Sequence, residues 1–201
     1  MTIEIIKRNN TNYRKTILVI GVFHGDEPQG EYFIREFLKI PKNNFKNRII
    51  YIPRLNSNKT RKNPNGVDLN RNYPTKNWEL GDKNSNYFGG ESPASEIETK
   101  TVIRLIDEMQ PDAIITIHAP FKIVNYDGPE EKTHILAEEI SKITGYPIQK
   151  DIGYSTPGSF GTYAGLEKEI PTITIEVEEE IPSEELLPKF INLFNYLEDK
   201  Y

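Results

Sequence analysis

No cysteine occurs among the 201 residues. Its absence excludes a disulfide framework and thiolate chemistry, so a bound metal must sit on nitrogen and oxygen ligands. Long apolar runs are missing too. No stretch approaches the roughly 20 residues that span a bilayer, and "MTIEIIKRNNTNYRK" lacks the apolar centre of a signal peptide. A cytoplasmic protein without membrane contact is therefore expected. No Ser/Gly linker or internal repeat divides the chain, and one domain over 1–201 is expected. A chain of this size buries roughly 70% of its unfolded surface and needs no staple. Histidine is scarce, with three in the chain, which makes the place of each informative.

The net charge is −5, but the two signs are segregated. Acids concentrate in "EVEEEIPSEE", where Glu178, Glu179 and Glu180 read as a solvated run. Lysines and arginines dominate between residues 46 and 76. A basic middle could attract nucleic acid or a small anion. No recognition helix or stacking array accompanies it, so nucleic acid is not an expected partner.

Short β-branched runs bounded by turn residues predict strands at about 2–6, 16–23, 48–53, 113–118 and 172–177. Apolar residues at helical spacing predict helices over 27–40, 95–109, 130–144 and 183–199. The third helix carries Ile135, Leu136, Ile140 and Ile143, and Ser95 with Glu98 suggests a capping box for the second. This alternation implies an α/β/α sandwich around a mixed, mostly parallel sheet. Residues 54–94 form a long polar stretch rich in Asn, Gly and Pro. Such a loop in a compact domain is usually functional or disordered, and its motifs favour function.

In "GVFHGDEPQG", His24 and Glu27 stand three residues apart at the mouth of a strand-to-helix turn, where open α/β sheets bind ligands. Imidazole and carboxylate are sound zinc ligands, and catalytic zinc usually takes three from the protein. "AIITIHAP" offers the third, His118, at the end of another apolar strand. His134 falls within a helical pattern and reads as a surface residue. A metal hydrolase also needs a carboxylate that is not a ligand, to accept a proton from water. "PTITIEVEEE" places Glu176 at a strand end facing the same edge. In "TRKNPNGVDLNRNYP", Arg71 offers a planar fork for a carboxylate and Asn70 a neutral donor. Asp68 could hold a ligand imidazole by its second nitrogen, and Arg61 could face a developing oxyanion.

With these residues in view, the chain resembles the zinc metallocarboxypeptidase family, and within it the murein peptide amidase branch. The resemblance rests on "GVFHGDE", "TRKNPNGVDLNRNYPTKNW", "SEIET", "IHAPF" and "GYSTPGSFGTY", in the family's order over about 16–177. It implies one zinc held by His24, Glu27 and His118, and Glu176 as general base and acid. It further implies Arg61 polarising the scissile carbonyl, and Asn70 and Arg71 holding a terminal carboxylate. Tyr154 would close over the substrate, with Asp68 behind the first histidine. The implied substrate is a small peptide with a free carboxylate, cut at a γ-D-glutamyl–diaminopimelate bond. An N-acyl amino acid deacylase on the same scaffold, or a silent carboxylate-binding relative, stays open, as does the oligomeric state. The segment "FKIVNYDGP" after His118 lies outside the resemblance.

Overall fold

Four runs rich in β-branched residues build the centre of the sheet in the computed structural model, which describes residues 3–9, 11–150 and 153–201. They are β2 (Thr16–Ile20), β3 (Arg48–Ile52), β4 (Ala113–His118) and β6 (Thr172–Glu176). All four run parallel and are largely buried, as strands covered on both faces must be. β1 (Ile6–Arg8) and β5 (Ile123–Asp127) pair antiparallel at the edges, giving the order β1-β3-β2-β4-β6-β5.

Side chains alternate across the sheet and sort into two layers. Ile17, Val19, Ile115 and Ile175 face α1 (Gln29–Leu38), α3 (Glu130–Thr144) and α4 (Ser183–Asp199). Leu18, Ile20, Ile50 and Ile114 face α2 (Ile97–Met109), Phe23, Tyr73 and a π-helical turn, Gly161–Glu167. Helices thus cover both faces of a mixed, mostly parallel sheet, and none is long and apolar enough to cross a membrane among the described residues.

Several expectations shift. The first strand forms at Ile6–Arg8 rather than 2–6, of which residue 2 lies outside the described residues. Ser95 does not cap α2: Glu96 occupies that position, and Ser95 Oγ instead accepts from Asn72 Nδ2 (2.9 Å) and donates to Glu96 (2.7 Å). Of the four apolar residues noted at helical spacing on α3, Ile135 is 57% exposed. Glu178 does not belong to a solvated run. It is buried, with Lys122 2.6 Å from its carboxylate and Tyr146 donating to it at 3.4 Å.

The 54–94 stretch holds little regular structure beyond a 3₁₀ turn at Leu69–Arg71, yet it is tightly pinned. Asn56 donates to the Arg61 carbonyl (2.9 Å), and buried Asn72 donates to the Gly89 carbonyl (2.6 Å). Side-chain amides here replace the backbone ladder that a loop lacks.

Candidate metal centre

Three chain segments meet where β2 and β4 end. β3 and β4 flank β2 on opposite sides, so this is a switch point, where a crevice opens beyond the strand ends. The turn after β2 carries His24 and Glu27, closed by Glu27 N–H donating to the His24 carbonyl (3.1 Å). That turn lies flat on the 54–94 loop: Gly25 N–H donates to the Thr60 carbonyl at 3.0 Å. β4 ends in His118, whose ring stacks on Phe23 at 5.3 Å. β6 ends in Glu176, paired in register with His118.

The donor atoms converge. His24 Nδ1 lies 3.3 Å from His118 Nδ1 and 2.7 Å from Glu27 Oε1, while Glu27 Oε2 is 3.0 Å from His118 Nδ1. All three side chains are at least nine-tenths buried. Two ring nitrogens at 3.3 Å stand at about the edge length of a tetrahedron with bonds of roughly 2.0–2.1 Å, the spacing of a zinc site. His24 Nε2 meets Asp68 Oδ1 at 3.2 Å, which holds the proton on that nitrogen and leaves the Nδ1 lone pair for a cation. Burial alone would lower the His24 imidazole, but its hydrogen bonds to Asp68 and Glu27 raise it to about 9. Burial likewise favours neutral Glu27, and His118 and His24 overcome it, holding the carboxyl far below its usual range. Carboxylates outnumber fixed cations around this cluster, and the nitrogen and oxygen donors fit a divalent metal such as zinc.

Glu176 is not part of the cluster. Its Oε2 is buried without a hydrogen-bond partner, and burial raises its carboxyl above the usual range, opposed in part by His118. Asp68 is fully buried and joins the loop to the centre, accepting from Arg61 Nε (3.1 Å) and Nη2 (3.0 Å). Arg61 Nη1 also lies 3.8 Å from Glu27 Oε1. Asn70 Oδ1 accepts from the Phe160 N–H at 2.9 Å, leaving the Nδ2 donor without a partner among the described residues. Arg71 Nη1 donates to the Asn70 carbonyl at 2.7 Å. Tyr154, 47% exposed, stands at the rim.

Every site residue expected from the sequence therefore lines one cleft of about 180 Å³ or stands directly behind it, as Asp68 does. His134 stays on α3, beside Glu138 at 3.8 Å. Sequence reasoning missed Tyr87, whose ring lies 4.9 Å from the Arg61 guanidinium and 5.5 Å from that of Arg71. It also missed Asn125 and Asp127, which β5 adds to the cleft. The alternation of Asn125, Tyr126 and Asp127 in "IVNYD" is the faint trace of a strand with one face in a polar site, too short to mark a strand by itself.

Comparison with known proteins agrees with this geometry. Residues 49–189 match the family described as zinc carboxypeptidase (Peptidase_M14). Murein peptide amidase A of Vibrio campbellii is 31% identical over 198 residues, 89% of this chain and 77% of that protein. The Escherichia coli K12 protein of the same name is 33% identical over 114 residues, 51% of this chain and 46% of that one. Among solved structures, murein-tripeptide amidase MpaA from Escherichia coli O157 superposes with a TM-score of 0.77 at 26% identity, covering 93% of this chain and 81% of that one. Thrombin-activatable fibrinolysis inhibitor shares the fold with the same TM-score, 0.77, at 17% identity, over 96% of this chain and 63% of that one. With its His–Glu–His cluster at the sheet's switch point, the chain belongs to the zinc carboxypeptidase family of metal-dependent hydrolases.

Proposed function

We propose that this enzyme hydrolyses an amide bond beside a free carboxylate, and that its substrate is the γ-D-glutamyl–diaminopimelate bond of murein peptides in the cytoplasm. One zinc per chain would be held by His24, Glu27 and His118. When bound, zinc acts as a Lewis acid that makes water ionise near neutrality and stabilises charge on oxygen.

The chain's own groups supply the rest. Glu176 accepts a proton from the attacking water and delivers it to the departing nitrogen. Its lone buried oxygen and raised carboxyl suit it to both halves of that transfer. Arg61, held by Asp68 beside Glu27, meets the charge that develops on the scissile carbonyl oxygen. Arg71 and the Nδ2 donor of Asn70 fix the substrate's carboxylate, converting binding into orientation. Tyr154 closes the rim and donates its hydroxyl near the cleaved bond. The observation that carries the reading is the 3.3 Å approach of two imidazole nitrogens beside Glu27, with Glu176 next to them on the sheet.

The test is a panel of muropeptides and N-acyl amino acids, with products identified by mass spectrometry with and without chelator. Free diaminopimelate and a γ-glutamyl product, lost on chelation, are the expected result. Turnover of the N-acyl amino acids alone would make the enzyme a deacylase, and turnover of nothing would leave a binding protein.

A further inference from the structure

The crossover from β4 to β5, residues 119–122, touches the site twice, each time through its backbone. Ala119 N–H donates to Glu27 Oε2 at 3.2 Å. Pro120 has no N–H to give. A hydrogen bond from the Phe121 backbone reaches Glu176 and draws its raised carboxyl part of the way back down. Val177 N–H donates to the His118 carbonyl at 2.7 Å, so the crossover starts from a strand end tied to the strand of Glu176. The position of this short segment therefore decides which backbone donors meet Glu27 and Glu176.

The segment ends in a strained residue that has an anchor. Lys122 has a φ of +56°, in the left-handed region, which is unfavourable for a residue with a Cβ and persists only where the surroundings hold it. Glycine would take that conformation without strain. What lysine adds is an ammonium 2.6 Å from the Glu178 carboxylate. Glu178 is buried and is fastened on its other side as well. Tyr146, just past α3, donates to it at 3.4 Å, and Lys189 of α4 stands 3.9 Å away. The ion pair thus ties a loop at the mouth of the site to the layer of α3 and α4. Removing the Lys122 cation would leave a buried carboxylate short of a partner, which makes the tie costly to break.

We propose that Lys122 and Glu178 are positioning residues for hydrolysis, their ion pair holding the 119–122 crossover in its left-handed turn and so keeping it seated against Glu27 and Glu176. This inference rests on the reading of Glu176 as the general base. Both residues act through the backbone of the crossover rather than on the substrate. Their loss should show in rate rather than in binding, because the clamp residues Asn70 and Arg71 belong to a different segment, the 3₁₀ turn at Leu69–Arg71.

The experiment compares the zinc-loaded wild type with Lys122→Met, Lys122→Arg, Glu178→Gln and the double variant Lys122→Met/Glu178→Gln on a γ-D-glutamyl–diaminopimelate peptide. Lys122→Met should lower kcat about 10- to 100-fold, the scale of a displacement of about 1 Å at a reacting group, with KM and zinc content unchanged. Lys122→Arg, which keeps the charge, should restore most of the rate. The double variant should be no slower than the slower single one, as expected of two residues acting as a unit. Independently of turnover, hydrogen exchange of the zinc-loaded protein should quicken at Phe121–Ile123 in Lys122→Met, while amides around Phe33 and Phe190 keep wild-type protection. Wild-type kcat in Lys122→Met, equal losses in the Met and Arg variants, or losses that multiply in the double variant would each overturn the proposal while leaving amide hydrolysis standing. Exchange that rises throughout the molecule would overturn it too, as the mark of a merely structural pair. Full activity in Glu176→Gln, or failure of the wild type to cleave any peptide, would instead refute the reading of the site, and this inference with it.

Discussion

Two acids within reach of one imidazole cluster have opposite duties, and their surroundings separate them. Asp68 is enclosed by donors: His24 Nε2, two nitrogens of Arg61 and the Asn70 backbone N–H. Burial works against its charge, but these partners hold its carboxyl below the usual range. A permanently charged, fully bonded acid is fit to orient a ligand, not to shuttle protons. Glu176 has the reverse endowment, an orphan oxygen and a raised carboxyl. Their substitutions should therefore separate. Glu176→Gln should cut kcat by about 10²- to 10⁴-fold, the usual worth of a general base, with zinc content unchanged. Asp68→Asn should weaken zinc by about 10- to 100-fold, measured against a competing chelator, and should recover much of its activity in excess zinc. Equal loss of metal in both variants would show that Glu176 is a ligand and the assignment of roles wrong.

At the scale of elements, strand ends and loop amides place the chemistry. The site-bearing elements were legible in the sequence because "TILVI", "AIITIH" and "TITIE" are runs of β-branched residues, and a His or Glu at the end of such a run has few places to point. β5 was not legible, because "IVNYD" has too few apolar residues to stand out and owes its strand to pairing with β6. The burial of Glu178 was equally hidden: it depends on Lys122 and Tyr146, distant in sequence and brought together only by the fold. Loop packing supplies a prediction here. The Arg71 carbonyl is flanked by glycines: a Cβ at Gly158 would lie 2.2 Å from it and one at Gly89 2.3 Å. Gly158 also has a φ of +69°, where a side chain is strained. Gly158→Ala should destabilise the protein by about 1–3 kcal/mol and push Arg71 out of place. Denaturant melts would check the first effect. A rise in KM larger than the fall in kcat, for carboxylate-bearing peptides, would check the second. An unchanged KM would mean that the Arg71 backbone does not set the clamp.

Over the whole molecule, the two layers flanking the sheet have different anchors. The layer of α1, α3 and α4 is centred on aromatic packing, with Phe33 stacked on Phe190 at 3.9 Å and both rings fully buried. The other layer ends at the site, and its 54–94 loop is tied to the sheet through Asp68 and His24, and through Gly25 and Thr60. A zinc ion would join donors that lie 94 residues apart in sequence, so its binding energy falls on that layer. At free zinc 1,000 times its dissociation constant, the stabilisation is about 4 kcal/mol. For a chain of this length that corresponds to a fall in Tm of about 8–16 °C on chelation. The loss should also be uneven. Hydrogen exchange with and without chelator should quicken first at 54–74 and at the 24–27 turn, while amides around Phe33 and Phe190 keep their protection until global unfolding. A Tm indifferent to chelator, or exchange that quickens equally in both layers, would mean that metal does not bridge the loop to the sheet. The convergence of His24, Glu27 and His118 would then be a polar cluster of the fold rather than its metal centre.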